Sequence, residues 1–125
     1  MAMTIQNSAP TRRVDTAGLG RRLAPRRLQA LRWIMEDQRA FRRMQLAQLS
    51  REGATEPVRQ AVQDIIAAGA RRTLDEIEFA LLELETGEYG FCRACGGAIP
   101  SPVLDAVPWA QLCPDCHRAR DHWSE

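Results

Sequence analysis

Every cysteine of this chain falls in two Cys-x2-Cys pairs, Cys92/Cys95 and Cys113/Cys116, separated by 17 residues. No other feature constrains the fold as strongly. A Cys-x2-Cys turn aims two thiolates at one point, and two such turns complete the tetrahedron that zinc prefers. Gly96 and Gly97 after the first pair leave the chain free to turn around a metal, and Pro114 suits the first turn of a helix beginning at the second pair. With all four ligands from protein, no position stays open for water or substrate. The expected cofactor is one structural Zn2+ on Cys92, Cys95, Cys113 and Cys116, without catalysis. A redox pair would call for a βαβ pattern that is absent, and two disulfides would require an oxidising compartment. His117, beside Cys116, reads as a surface residue.

The rest of the 125 residues reads as mainly α. Seven aromatic residues, three Trp, one Tyr and three Phe, argue against a large core and for an elongated shape. Apolar residues from Leu28 to Leu49 recur mostly at spacings of three and four, with a break between Met35 and Phe41. A second periodic run, Val58, Val62, Ile66, Ala70, Leu74, Ile77, Leu81 and Leu84, leads to a stop at Gly87. Gly53 breaks the first helix, and Thr55 is the expected cap of the second, ahead of Pro57. The expectation is a long antiparallel helical hairpin, a coiled coil, over residues 22–87 with its tip near 50–56. It joins a four-cysteine module with a C-terminal helix over 88–125. Residues 1–21 read as a flexible basic arm. Gly69 and the glutamines Gln38, Gln45 and Gln48 make the hairpin seam a thin one. The metal module is expected to anchor it, and its disruption to leave much of the helix intact.

Charge is segregated. Residues 1–27 hold six arginines against Asp15, whereas residues 51–90 hold nine acids against four arginines. Lysine is absent. Residues 91–125 carry three arginines against four acids, and a zinc tetrathiolate adds about −2. That balance argues against a finger that grips DNA, although the 17-residue spacing is also that of GATA-type nucleic-acid-binding fingers. No signal-peptide or membrane-spanning run is evident, so a cytoplasmic protein without membrane association is expected.

The string GEYGFCRACGGAIP, with Leu104, Ala106, Pro108, Ala110 and the closing LCPDC, resembles the zinc finger of the DksA/TraR family of bacterial transcription regulators. The helical run RRTLDEIEFALLELETGEYG resembles that family's entry from coiled coil to finger. The resemblance implies an RNA polymerase-binding regulator of initiation whose coiled coil enters the secondary channel. At the family's spacing from the first cysteine, the tip alanine falls on Ala54. One tip acid falls on Glu52 and the other on Leu49, which has no carboxylate. The family positions that hold ppGpp fall on Glu76, Val107 and His117, and Val103 stands where arginine is usual. Arg71, Arg72, Arg118 and Arg120 are near in sequence. An altered or absent ppGpp response is therefore expected. A non-catalytic structural adaptor with an inert coiled coil is the other reading besides the GATA-like one.

Overall fold

The computed structural model describes residues 23–124, so the basic arm expected over 1–21 lies outside the described residues. Four helices follow in order: α1, Pro25–Glu52; α2, Pro57–Thr86; α3, Ser101–Ala106; and α4, Pro114–Ser124. All but α3 begin at a proline, whose missing N–H costs nothing in a first turn. Between α2 and α3 the chain makes a tight loop held by an antiparallel bridge between Phe91 and Ala98.

Helices α1 and α2 form the antiparallel hairpin. Gly53 takes a left-handed φ of 58° and ends α1, its N–H reaching the Leu49 carbonyl at 3.2 Å. The cap of α2 is Glu56 rather than Thr55: its carboxylate accepts from the Arg59 N–H at 2.8 Å. The longer side chain one residue closer to Pro57 reaches an orphan donor of the first turn. At the other end Gly87, φ 80°, closes α2, and the Glu88 N–H turns back to the Glu83 carbonyl.

The hairpin is packed at its base and loosely built towards its tip. Leu31 and Met35 of α1 meet Ile77, Ala80 and Leu81 of α2 in one buried cluster with Leu23, Tyr89, Phe91, Cys92, Ile99 and Leu104. Hairpin base and finger therefore share a core. Distally, the half-buried positions of α2 are Gln60, Gln63 and Ala67, not the Val58, Val62 and Ile66 expected in the seam. Those three are exposed, Val58 at 68% and Val62 at 50%. In α1 the seam likewise passes through Gln38, Arg42 and Gln45, while Ile34, Phe41 and Met44 face out. Arg42 Nε and Gln45 Oε1 are buried there without a partner.

The physical reason is a register shift. The base fixes the rotation of both helices, because Met35 and Ile77 are fully buried. Past Met35 the apolar pattern of α1 slips by one residue, so Phe41 and Met44 each precede a seam position. In α2, Val62 and Ile66 do the same. A continuous helix cannot follow a one-residue slip, which amounts to a turn of about 100°.

Candidate metal centre

The first cysteine turn is built by backbone hydrogen bonds. The Cys92 N–H donates to the Gly97 carbonyl at 2.8 Å, the Gly96 N–H to the Cys92 carbonyl at 2.9 Å, and the Ile99 N–H to the Gly90 carbonyl at 2.8 Å. Gly90 and Gly96, at φ 95° and 77°, supply the left-handed residues this reversal needs. The second turn sits at the start of α4, where the His117 N–H donates to the Cys113 carbonyl at 2.9 Å. The turns are tied together by the Arg93 N–H on the Gln111 carbonyl and the Arg93 guanidinium on the Gln111 side-chain oxygen, both at 2.9 Å.

This folding brings the four sulfurs of Cys92, Cys95, Cys113 and Cys116 within 4.8 Å of one another. The Cys95 and Cys113 sulfurs are 3.9 Å apart, too far for a disulfide. Zinc–sulfur bonds of about 2.3 Å at tetrahedral angles place sulfurs about 3.8 Å apart, so the donor set fits one zinc ion. The Gly97 N–H points at Cys95 Sγ from 3.4 Å, an outer hydrogen bond that favours a thiolate. Burial pushes the Cys92 thiol up, but backbone hydrogen bonds at Cys113, Cys95 and Ala94 outweigh it and bring the thiol down to about 6. The Cys113 and Cys92 thiols push Cys116 up to about 12. Without a cation the cluster thus ionises unevenly, and zinc binding displaces the remaining protons. His117 is exposed, with Nδ1 3.3 Å from the Asp121 carboxylate, and is no part of the donor set.

One further contact braces the finger and another ties it to the rod. The Tyr89 hydroxyl donates to the Pro108 carbonyl at 2.6 Å in a buried position. The Arg93 guanidinium lies over the Phe79 ring of α2, 4.3 Å from its centroid. Arg27 at the start of α1 also pairs with Asp105 of α3. Sequence reasoning did not single out Arg93, Gln111 or Phe79. The only available signal was that Arg93 follows one cysteine and Gln111 shortly precedes another, so two facing turns bring them together.

Beside the centre lies a groove of about 680 Å³ between α2, α3 and α4. Glu76, Val107 and His117, far apart in sequence, all line it, with Val103, Trp109, Arg93, Arg118 and Arg120. Arg71 and Arg72 do not. Arg118 pairs with Asp115. At the opposite end, Glu52 closes α1 and Ala54 lies half-buried in the tip turn. The Gln48 amide donates to the Glu52 carboxylate at 2.7 Å, and Arg51 donates to Gln48 at 2.6 Å. Leu49 is half-buried in the hairpin seam.

Residues 87–122 match the model of the prokaryotic DksA/TraR C4-type zinc finger. Residues 87–122 form a zinc finger of the DksA/TraR type. It is 50% identical over 44 residues to a protein of Aquifex aeolicus, covering 35% of this chain and 30% of that one. It is 41% identical over 46 residues to the RNA polymerase-binding transcription factor DksA of Haemophilus influenzae, covering 37% and 32%. These matches thus span about a third of either protein. The structural likeness runs further. DksA2 of Pseudomonas aeruginosa superimposes with a TM-score of 0.68 at 20% identity, over 82% of this chain and 88% of DksA2. The Dks transcriptional regulator of Chlamydia trachomatis gives 0.53, also at 20% identity, over 80% and 93%. The DksA-like hairpin is therefore common to these proteins as a fold, while recognisable sequence is concentrated in the finger. Among the described residues, no helix is long and apolar enough to cross a membrane.

Proposed function

We propose that this protein binds RNA polymerase and regulates transcription initiation without catalysis of its own, the hairpin tip entering the secondary channel. The observation that carries the reading is a DksA/TraR-type finger sharing one core with the base of a long hairpin. One ion closed by four protein sulfurs leaves no coordination site for a substrate, so the centre's role is to hold the rod's base. In this reading Glu52 and Ala54 are the working tip. Glu52 is at the hairpin's end, steadied by Gln48, and its charge acts at long range where a channel excludes water.

The response to ppGpp is proposed to be altered. Glu76, Val107 and His117, onto which the resemblance carries the ppGpp-holding positions, line one groove, so a carboxylate would face a polyphosphate bound there. Of its arginines, Arg93 is engaged by Gln111 and Arg118 by Asp115.

The test is polymerase affinity and promoter-complex half-life for Glu52→Gln and Ala54→Thr. Both should bind core polymerase as the parent does, because most contact area lies along rod and finger, yet change the half-life less than the parent. Unchanged half-lives with intact binding would leave only the inert-adaptor reading. Failure to bind polymerase at all would remove the proposal.

A further inference from the structure

At the hairpin base α1 turns a tryptophan away from the core. Trp33 stands two residues from both buried Leu31 and buried Met35, about 200° round the helix. It is 69% exposed, and Ile34 beside it 40%. With Pro25, Arg26, Gln29 and Ala30 they line an open cavity of about 740 Å³ along the outer face of α1. An aromatic side chain buries about 150–250 Å² when covered, so Trp33 favours whatever apolar group can reach it. Two observations say what that group is.

The first is reach. Leu23 is buried in the base core, so residues 1–22 join the molecule at the foot of this face, just before Pro25. From Pro25 to Trp33 is about 12 Å of helix. Leu19, six residues before Pro25, can reach about 20 Å in an extended chain and so has the length to double back. Gly18 and Gly20 flank it, and without side chains they let the backbone lie close against a flat indole. The second is charge. Glu36 and Asp37 lie one turn beyond Trp33, both exposed and without an ion-pair partner among the described residues. Arg12 and Arg13 precede Leu19 by seven and six residues, which brings them level with these acids with chain to spare. Arg26 borders the foot of the patch, where Arg21 and Arg22 would face water.

We infer that residues 12–22 fold back along the outer face of α1 as a strap. Leu19 seats on Trp33 and Ile34, and Arg12 and Arg13 pair with Glu36 and Asp37. The strap covers the hairpin base and leaves the distal rod and the groove beside the metal centre open. It therefore stands apart from the polymerase reading.

Fluorine NMR of the full zinc-loaded chain carrying fluorotryptophan tests it, with Trp33→Phe assigning the Trp33 signal. Deletion of residues 2–20, which spares Leu23, should move that signal to the position of free fluorotryptophan and leave the Trp109 signal in place. Leu19→Asp should move it equally, and Ile5→Asp should not. Arg12→Glu combined with Arg13→Glu should move it part of the way, as should added salt, which screens the ion pairs. A Trp33 signal already at the free position in the parent, or unmoved by the deletion, overturns the inference. If the signal instead depends on protein concentration or on added core polymerase, a second copy or polymerase covers Trp33 and the strap is excluded. Should the truncated chain lose helix content, Leu19→Asp, which alters no residue of the base core, decides alone.

Discussion

Replacing Cys113 by serine should dismantle more than the finger. Sequence reasoning expects such a variant to lose the metal and keep most of its helix. The shared core argues otherwise. Tyr89, Phe91, Ile99 and Leu104 from the finger side are all buried against Leu31, Met35, Ile77 and Leu81 of the hairpin base. Burying a large side chain contributes about 1.5–3 kcal/mol, so four of them represent roughly 6–12 kcal/mol of gross burial, an upper bound because unfolded chains are partly compact. A whole domain is stable by only about 5–15 kcal/mol. The distal hairpin cannot make up the difference, since its seam sets Gln38, Arg42, Gln45, Gln60 and Gln63 among only a few half-buried apolar residues, Leu46, Leu49 and Ala67. Without zinc the finger has no other closure, and once it opens the base loses its apolar partner. Far-UV circular dichroism at 37 °C should therefore show Cys113→Ser losing more than half of the helical signal of the zinc-loaded parent. Chelation of the parent with a strong zinc ligand should do the same, reversibly on zinc return. A variant that keeps its full helical signal and unfolds at an unchanged temperature would refute the argument, because the hairpin would then be stable alone.

Gln45→Leu should stabilise the chain by about 1–2 kcal/mol, since it removes a buried unpartnered amide oxygen and adds apolar seam. Urea titration reads this, and a destabilised variant would show that the seam is not as described. Glu83 is pushed up to about 7, chiefly by burial, with Arg93 opposing and Glu88 adding to the rise. A carboxyl with a raised native pKa favours the fold while protonated, below its ordinary value of 4.5, and that contribution fades as pH climbs through 7. Glu83→Gln should thus be neutral near pH 4.5 and stabilising by roughly 1 kcal/mol at pH 8, after allowing for solvent screening. A thermal-midpoint difference that does not grow with pH would contradict this. Leu49→Asp should weaken the hairpin tip by about 1–3 kcal/mol, because it puts a carboxylate into the seam without a partner; faster amide exchange over residues 46–62 is the expected sign.

Local chemistry was legible from residues alone. The paired Cys-x2-Cys turns point to one zinc ion, since their geometry depends on a few adjacent residues, and the four sulfurs do cluster. Helix ends at Gly53, Pro57 and Gly87 were readable for the same reason, being set by backbone preferences of single residues. The cap of α2 was not, because Thr55 and Glu56 differ only in which side chain reaches the Arg59 N–H. Periodicity placed Val58, Val62 and Ile66 on an inward face, and the fold turned them out. Rotation of a long helix is decided where packing is tightest, and here Met35, Ile77 and the finger's Ile99 and Leu104 decide it. The gathering of Glu76, Val107 and His117 around one groove likewise depends on how the finger docks against α2. Spacing along a chain determines what one turn can hold, whereas only tertiary contact determines which face of a helix is left for another molecule.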